Sequence, residues 1–421
     1  MSKPAPAELG TLREGDKNRY WEIRFSKFDF FSNGQNWLSK LFWNISTLIT
    51  FPLLMLTARF YSKKLSCTER GKEQDNMMPF KLFTDIYPGC VYSPFIKAYE
   101  LELFKKCDIK CPILEIGIGD GYSSSLLSKS NNQRIMYGTD LMYGVLKSAR
   151  RYGHCDNYVI MDACEIPFPN GSFETVIMNN LMNHLPDRKA VMREILRVLK
   201  KDGRFVFNDN MMGWGTFTWE QAILKKMKLG LIADKILKYK LRLFAQKLLV
   251  DENYYDKLSN EMSFAIAQKV PFVSKRAMFL SSIFEFLNLK QGQPTRPEMR
   301  RWFNFFGCWQ KLEQYMADII EYCYRTDQER CERGGYAFEF FEVVKTGDDI
   351  VAGTSQAVDF ICPRCKGTLV KVHSSFFCKS CDISYPVFDG IPIFLSYQDK
   401  LNGLTSYLTT KKEEQTKEYM T

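Results

Sequence analysis

The sequence lacks several features that would place it in a simple class of protein. It shows no internal repeat over its 421 residues, so nothing in it predicts a solenoid or another repeat array. No secretory signal is visible, because the first apolar run starts near Trp37, behind a long charged segment. No Ser-His-Asp arrangement and no nucleophilic cysteine stands out, so covalent catalysis is not indicated.

Cysteine is plentiful, yet it forms no disulfide framework. Four of the thirteen cysteines lie in two Cys-x-x-Cys pairs near the end of the chain. The other nine are scattered, namely Cys67, Cys90, Cys107, Cys111, Cys155, Cys164, Cys308, Cys323 and Cys331. Scattered thiols without a secretory signal predict a reducing, cytoplasmic compartment.

Positive charge is concentrated in one segment. The formal net charge of the chain is +10, and residues 221–250 hold eight Lys or Arg side chains against one acid, a net +7. Within this segment Ile236, Tyr239 and Leu243 share one helical face. The segment therefore predicts an anionic partner, in the form of a basic amphipathic helix at a membrane surface or a phosphate-binding helix on RNA.

One uncharged run, residues 41–58, has about the minimum length of a membrane span. Pro52 and five polar residues weaken the interpretation as a span, because proline kinks a helix. Together with residues 221–250, this run predicts association with the anionic inner face of a membrane. The alternative is that both segments are buried and that 41–58 packs as a lid or core helix.

From Pro112 onwards, short β-type runs alternate with helical runs. The predicted strands cover 112–116, 134–140, 157–163, 173–180, 203–209, 308–315 and 336–345. Asp187 is placed to cap a helix in which Val191, Ile195 and Val198 lie on one face. Apolar strands that alternate with helices predict an α/β fold with a parallel sheet covered on both faces.

The first predicted strand runs into a glycine-rich turn, LEIGIGDGY, before a helix that starts at Tyr122. Such a turn lets the backbone approach a ligand closely. The spacing does not fit the dinucleotide fingerprint G-x-G-x-x-G, because Tyr122 stands where the third glycine belongs. The stretch ILEIGIGDG instead resembles motif I of class I S-adenosylmethionine (SAM)-dependent methyltransferases. The wider resemblance covers residues 112–210 well and 294–345 loosely, and it is greatest to the quinone-biosynthesis and small-molecule branch of that family. The resemblance implies a Rossmann-like seven-stranded sheet.

The resemblance also implies which residues hold SAM. Asp140 ends the second strand, where the family's acid holds the ribose hydroxyls, and the two apolar residues after it cover the adenine. Asp162 and Ala163 map beside the adenine, and Asn179 maps near the amino-acid end of the cofactor. The implied cofactor-binding set is Glu115, Gly117, Ile118, Gly119, Gly121, Asp140, Leu141, Met142, Asp162, Ala163 and Asn179.

No catalytic residue is assigned, and His184 is the only candidate for a base. It lies after the fourth strand, in the loop that should face the substrate, and a neutral imidazole there could take a proton from a hydroxyl acceptor. The competing interpretation is that His184 packs against or caps the next helix.

The two Cys-x-x-Cys pairs, Cys362 with Cys365 and Cys378 with Cys381, have the spacing of a structural zinc site. Four thiolates complete a tetrahedral shell and leave no position for a substrate. A rubredoxin-like iron site is the chemical alternative.

The sequence around these cysteines, CPRCKGTL…CKSCDISYPVFDGIPIFL, resembles the zinc-ribbon activator subunit of tRNA, rRNA and protein methyltransferases. The shared features are Cys-Pro-x-Cys, Gly-x-Leu and the closing Tyr-Pro-x-x-Asp-Gly-Ile-Pro. The resemblance implies a ribbon that packs in cis on the methyltransferase domain and stabilises it. A ribbon that grips nucleic acid is the alternative, but residues 360–395 contain few basic side chains.

The chain is predicted to have five parts. They are an N-terminal arm at 1–75 with the apolar segment 41–58, a SAM-dependent methyltransferase domain at 76–347 with a helical cap insert at about 211–293, a linker at 348–359, a zinc ribbon at 360–398 and a charged tail at 399–421.

Three functions fit this organisation. The first is methylation of a small or amphipathic, lipid-linked metabolite. The second is methylation of RNA through 221–250, although this segment lacks the aromatic residues of a base-stacking surface. The third is a non-catalytic SAM-binding scaffold.

Overall fold

The structure is a computed structural model of the full chain. It describes residues 92–182, 185, 187–210, 253–274, 277, 289–290, 293–294, 326–327, 329–332, 336–347 and 359–395, together with Leu56 and Arg59. Most of the predicted arm, the segment 221–250, the linker up to residue 358 and the charged tail lie outside these residues, so their boundaries stay predictions. Within the described part of the chain, no helix is long and apolar enough to cross a membrane.

The chain divides into two compact units, Met1–Lys72 with Phe284–Tyr322, and Glu73–Ile283 with Cys323–Thr421. The second unit holds one sheet of eleven strands: β1 (Ile113–Ile116), β2 (Ile135–Asp140), β3 (Cys155–Met161), β4 (Phe173–Met178), β5 (Leu199–Asn210), β6 (Phe264–Ser274), β9 (Tyr336–Lys345), β10 (Val370–Val372), β11 (Ser375–Cys378), β12 (Ile383–Phe388) and β13 (Ile391–Phe394). In the first unit, β7 (Leu289–Lys290) and β8 (Gln293–Pro294) form a separate antiparallel pair.

The helices described at full length in the second unit are α1 (Tyr92–Lys105), α2 (Tyr122–Asn131), α3 (Tyr143–Ala149), α4 (Arg188–Val198) and α5 (Tyr254–Glu261). A short 3₁₀ turn, Arg150–Tyr152, follows α3. On α4, Asp187 caps the first turn by accepting a hydrogen bond from the Ala190 amide at 2.9 Å. Val191, Ile195 and Val198 are fully buried, so the predicted cap and apolar face of this helix are confirmed.

Seven strands form the methyltransferase part of the sheet, in the order β3-β2-β1-β4-β5-β9-β6. The strands β1 to β5 are parallel, and β9 runs antiparallel to both β5 and β6. The strand order reverses between β1 and β4, which opens a crevice at the carboxyl ends of these strands. The predicted seven-stranded Rossmann-like sheet is therefore confirmed.

The predicted helical insert at about 211–293 is wrong in one respect, because it contains a strand of the sheet. The sheet is completed by β6, at Phe264–Ser274, which lies inside the segment assigned to a helical insert at about 211–293. The predicted strand at 308–315 lies outside the described residues. Pro271 makes this strand hard to recognise from sequence, because proline within a run argues against a strand, whereas β6 is the last strand of the described sheet and its outer edge needs no donor there.

The C-terminal ribbon continues the same sheet. Its strand β13 pairs in parallel with β3, with Ile393 opposite Ile160 and Phe394 opposite Met161. The remaining ribbon strands follow in the order β12, β11 and β10. The ribbon therefore packs in cis and covers an edge of the methyltransferase sheet that would otherwise expose unpaired backbone groups.

Candidate functional site

The turn after β1 places three glycines in a conformation that other residues avoid. Gly117, Gly119 and Gly121 have φ angles of 73°, 60° and 79°. A Cβ on Gly117 would lie 2.4 Å from Leu181 Cδ2, and one on Gly121 would lie 2.7 Å from Ala149 Cβ. These two glycines therefore serve close packing as well as the turn. A Cβ on Gly119 would meet no atom of the described residues within 4 Å, so among these residues the middle of the turn has room for a ligand.

Asp140, at the end of β2, is tied to this turn by its side chain. Its Oδ2 accepts a hydrogen bond from the Gly119 amide at 3.3 Å, and its Oδ1 accepts one from the Met142 amide at 3.0 Å. Burial raises the pKa of Asp140, and the backbone donors oppose that shift. The carboxylate is thereby held between the glycine turn and Met142, the residue before α3, beside the opening at Gly119.

A second acid follows the neighbouring strand. The Oδ1 atom of Asp162 accepts a hydrogen bond from the Cys164 amide at 2.7 Å, which closes a tight turn after β3, and Ala163 in that turn is buried. Because β2 and β3 are parallel neighbours, with Asp140 opposite Ile160, both acids lie at the carboxyl edge of the sheet.

The apolar residues of the predicted set fall into two environments. Ile118 is buried, and its Cδ1 would lie 2.7 Å from a Cβ built on Gly138 of β2, so its side chain packs into the sheet. Leu141 is 36% exposed, and Met142 is partly buried at the start of α3. Of these three residues, Leu141 and Met142 leave apolar side-chain surface open beside Asp140, and Ile118 does not.

A small pocket lies behind the glycine turn. It is lined by Leu101, Phe104, Glu115, Ser123, Ser124, Leu127, Ile177 and Asn179. The Ser124 hydroxyl donates a hydrogen bond to Glu115 Oε1 at 2.5 Å. Glu115 Oε2, Ser123 Oγ and Asn179 Oδ1 are buried and have no hydrogen-bond partner.

Unpartnered acceptors in this pocket fit a ligand that brings its own donors. Burial raises the pKa of Glu115 to about 7, and the Ser124 hydrogen bond and Lys97 only partly oppose that shift. A buried acceptor without a donor costs free energy, so a bound donor group is favoured. The residues present therefore fit the amino group of SAM, at the amino-acid end of the cofactor to which the resemblance assigned Asn179.

Sequence reasoning missed another acid in this region. Glu100 of α1 is fully buried, and its Oε1 accepts a hydrogen bond from Asn208 Nδ2 at 2.6 Å. A signal was present, because Glu100 stands four residues after Ile96 and four before Phe104, and both are buried. An acid in the apolar stripe of a helix marks a buried polar contact.

The histidines contribute no acid or base to the described site. His184 lies outside the described residues, so its role stays a prediction. His154 is buried with both ring nitrogens unpartnered, and burial, with Arg134 and Lys129 nearby, lowers its pKa to about 4. It is therefore neutral at physiological pH.

The four ribbon cysteines lie together. All four sulfur atoms are within 4.8 Å of one another, with Cys362 Sγ 3.9 Å from Cys381 Sγ and Cys365 Sγ 3.5 Å from Cys378 Sγ. A tetrahedral site with Zn–S bonds of about 2.3 Å places sulfur atoms about 3.8 Å apart. The arrangement therefore fits one metal ion, and four thiolates suit zinc.

Polar contacts hold the ribbon to the methyltransferase domain at two places. Asp389 Oδ2 accepts hydrogen bonds from the Tyr143 hydroxyl at 2.9 Å and from Arg150 Nη1 at 2.8 Å. Lys366 Nζ donates to Glu194 Oε2 of α4 at 2.6 Å. The first contact is made to α3, directly after the loop that carries Asp140.

An aromatic contact joins the two domains between these points. The Phe360 ring lies 5.4 Å from Phe168 and 5.8 Å from Tyr137 of the methyltransferase domain, and 4.8 Å from Phe394 of the ribbon. The Ile361 amide also donates to the Pro167 carbonyl at 3.0 Å. The apolar cores of the two domains are therefore continuous.

Comparison with known families agrees with this division. Residues 114–207 match the model of a methyltransferase domain, and residues 361–390 match the model described as Trm112p-like protein. The fold, the glycine turn and the first match define residues 114–207 as part of a class I SAM-dependent methyltransferase domain. A domain that matches the Trm112p-like model follows it in the same chain.

Among curated proteins, this chain is similar to several methyltransferases. A ubiquinone/menaquinone biosynthesis C-methyltransferase of Desulfotalea psychrophila is 29% identical over 23% of this chain and 40% of the relative. A 2-methyl-6-phytyl-1,4-hydroquinone methyltransferase of Synechocystis is 31% identical over 39% of this chain and 58% of the relative. A fatty-acid O-methyltransferase of Mycolicibacterium smegmatis is 25% identical over 43% and 68%. Several matches span only about 40% of the relative's length.

Solved structures show the same kind of similarity at a lower level. The phosphoethanolamine N-methyltransferase 2 of Haemonchus contortus, in complex with S-adenosyl-L-methionine, has a TM-score of 0.37 and 17% identity, over 60% of this chain and 52% of that chain. Similarity at this level carries no argument about substrate.

Proposed function

We propose that this protein transfers a methyl group from SAM to a small or amphipathic metabolite of the lipid-linked class. The observation that carries the proposal is the opening at Gly119, which is tied to the carboxylate of Asp140, together with a nearby pocket lined by the acceptors Glu115 Oε2 and Asn179 Oδ1, which have no partner among the described residues. This arrangement offers acceptors at both ends of one elongated cofactor.

The residues of the site bind and orient rather than react. When bound, SAM supplies an electrophilic methyl group on a sulfonium that carries its own leaving group. Asp140 accepts hydrogen bonds from hydroxyl groups at the adenosine end, and Glu115 and Asn179 accept them at the amino-acid end. Holding donor and acceptor in line and excluding water supplies most of the rate acceleration.

The acceptor side of the crevice is braced by a buried ion pair. Asp209, at the end of β5, accepts hydrogen bonds from Arg188 Nε at 2.8 Å and from the Tyr255 hydroxyl at 2.6 Å. Tyr255 lies on α5, the first helix described after residues 211–252. The contact between Asp209 and Tyr255 thereby holds the start of α5 at the carboxyl end of β5, where an acceptor would enter.

The lipid-linked class of acceptor is supported by the relatives and by the sequence. The printed name of one relative refers to ubiquinone/menaquinone biosynthesis, that of a second to a phytyl hydroquinone and that of a third to a fatty acid. The uncharged run 41–58 and the basic apolar segment 221–250 would suit a substrate with an apolar tail.

We propose that the ribbon is a structural zinc domain. Cys362, Cys365, Cys378 and Cys381 would hold one zinc ion, which leaves no open coordination position for a substrate. Its role would be to keep β13 in place on β3.

Methyl transfer to cell extract tests the assignment. The purified protein is incubated with SAM labelled in its methyl group and with a cell extract, and the label is then measured separately in lipid, RNA, protein and small-molecule fractions. We expect label in the lipid or small-molecule fraction and none with a Gly119→Val variant. Label confined to RNA would support the RNA methyltransferase instead, and absence of SAM binding would leave only a non-enzymatic role.

We also propose that the protein is cytoplasmic and associates with the inner face of a membrane. SAM is made in the cytoplasm, and residues 41–58 and 221–250 combine apolar length with positive charge. Flotation with anionic vesicles tests this: the full chain should rise with the vesicles, and its release by salt would show the share that charge contributes. A protein that stays at the bottom of the gradient contradicts membrane association.

A further inference from the structure

Two glutamates are buried behind the glycine turn. Glu115 lies on β1, two residues before Gly117, and Glu100 lies on α1. Glu115 is 3% exposed and Glu100 is fully buried. The motif assigned Glu115 to the cofactor, whereas no motif includes Glu100.

The position of Glu100 follows from the helix that carries it. Leu101 and Phe104 of α1 line the same pocket as Glu115 and Asn179. Glu100 is next to Leu101 and one turn before Phe104, on the same face.

Asparagine side chains connect Glu100 to the carboxyl edge of the sheet. Asn208 of β5 donates to Glu100 Oε1 at 2.6 Å, and its own Oδ1 accepts a hydrogen bond from the Asn180 amide at 2.5 Å. Asn179, directly after β4, also interacts with Glu100 and lowers its pKa. Glu100 therefore belongs to the polar cluster at the ends of β4 and β5.

Besides the Ser123 hydroxyl, the described atoms left over in this cluster are acceptors. Glu100 Oε2, Glu115 Oε2 and Asn179 Oδ1 are buried without a hydrogen-bond partner. A single ammonium group offers three donors and a positive charge, which matches two carboxylate oxygens and an amide oxygen. Lys97 on α1 is a charged group close to both glutamates, and its effect is smaller than that of burial.

We propose that Glu100 is a second carboxylate of the subsite that holds the α-ammonium group of the cofactor, with Glu115 and Asn179. The proposal rests on the proposed function, because it presumes that SAM is the ligand. It adds a binding residue from the helix before β1, outside the glycine motif.

The charge state of the two glutamates adds a pH signature. Burial raises the pKa of Glu100 and that of Glu115 to about 7, against the effects of Lys97, Asn208, Asn179 and Ser124. An ammonium ligand favours the ionised carboxylates, so binding releases protons near neutral pH. Affinity for SAM should therefore rise as the pH is raised from 6 to 7.5.

Calorimetry with three ligands tests the proposal on the full-length protein. The ligands are SAM, S-adenosylhomocysteine and 5′-methylthioadenosine, which keeps the adenosine part but has no amino-acid part. The variant is Glu100→Gln, which keeps an acceptor for Asn208. The matched control is Glu102→Gln, because Glu102 is on the same helix but pairs with Lys105 at 3.0 Å near the surface.

We expect Glu100→Gln to lower the affinity for SAM and S-adenosylhomocysteine on the order of tenfold and to leave that for methylthioadenosine unchanged. It should also reduce the rise of SAM affinity between pH 6 and 7.5, while Glu102→Gln changes neither. An equal loss for all three ligands would show a merely structural role and overturn the proposal, as would unchanged SAM affinity. If the unmodified protein binds no SAM, the proposed function itself fails, and this inference fails with it.

Discussion

The two ends of the cofactor crevice are built in different ways. At the adenosine end, both carboxylate oxygens of Asp140 accept backbone hydrogen bonds, and Asp162 is held by the Cys164 amide. At the proposed amino-acid end, one oxygen of Glu115 and one of Glu100 have no donor among the described residues. The first end is organised by the protein alone, and under the proposed function the second would be completed by its ligand.

The difference explains what each end contributes to binding. Acids held by backbone donors keep their geometry without a ligand, so the proposed adenosine end is a preorganised binding site. Ionisation of Glu100 and Glu115 lowers the stability of the empty protein. The reason is that burial raises the pKa values of both groups, so the folded chain binds protons more tightly than the unfolded chain. Stability of the empty protein should therefore fall as pH rises from about 4.5 through 7, and a cationic ligand offsets that loss.

The ribbon touches only one of the two ends. Asp389 contacts Tyr143 and Arg150, which follow Asp140 along α3 and its 3₁₀ turn, and the Phe388 ring lies 5.1 Å from that of Tyr143. Among the described contacts, none joins the ribbon to Glu100, Glu115 or Asn179. Changes in the ribbon should therefore affect the adenosine end of the crevice first.

Removal of the metal should have the largest effect. Metal binding supplies most of the folding free energy of small zinc domains, about 10–16 kcal/mol in zinc-finger peptides. We expect one zinc per chain by elemental analysis, and we expect Cys378→Ser or chelation to unfold residues 360–395 and to expose β3 to hydrogen exchange. Cys111→Ser is the control, because Cys111 is an exposed thiol away from the cluster. Iron in place of zinc, or a ribbon that stays folded without metal, would contradict this prediction.

A methyl group added at Gly119 should have the next largest effect, on the adenosine end and the turn beside it. Gly119→Ala places a Cβ in the opening that the cofactor would occupy, at a φ of 60° that costs about 1–2 kcal/mol for an L-residue. Gly153→Ala is a closely matched control, because Gly153 also has a φ of 60° and open space around its Cβ position but follows the 3₁₀ turn.

Both variants should lose similar stability in thermal unfolding. Only Gly119→Ala should weaken SAM binding, by at least roughly tenfold, since that change alone fills the space of the ligand. Equal SAM affinity in the two variants would show that the opening at Gly119 is not where the cofactor passes.

Sequence reasoning succeeded where the signal is local. The strand at 336–345 coincides with β9, and the paired cysteines predicted a cluster that the structure brings together. Asp140 and the glycines were predicted together from a strand end and its turn, and the structure places Asp140 in contact with the Gly119 amide. Each of these features depends on a few consecutive residues.

The features that sequence reasoning missed depend on distant segments. Glu100 acquires its buried polar contact only when α1 brings it to Asn208 of β5, 108 residues later in the chain. The strand β6 was missed because Pro271 argues against a strand unless the segment is known to lie at the edge of the sheet. Neither fact can be read from one window of sequence.

Loss of the contact between the ribbon and α3 should have the smallest effect. Asp389→Ala removes the acceptor for Tyr143 and Arg150, and since the ion pair is about 37% and 51% exposed, solvent limits its worth to about 0.5–1 kcal/mol. We expect SAM affinity to fall only a few-fold, because α3 and the loop after Asp140 become less well held.

The comparison variant for Asp389→Ala is Lys366→Met, which removes the other polar contact of the ribbon. Lys366 pairs with Glu194 on α4 at 2.6 Å, in a more buried place that is away from Asp140. Lys366→Met should therefore lower the unfolding temperature at least as much as Asp389→Ala but leave SAM affinity unchanged. If the two variants weaken SAM binding equally, the ribbon acts on the crevice through general stability, and the specific link from Asp389 to the adenosine end is wrong.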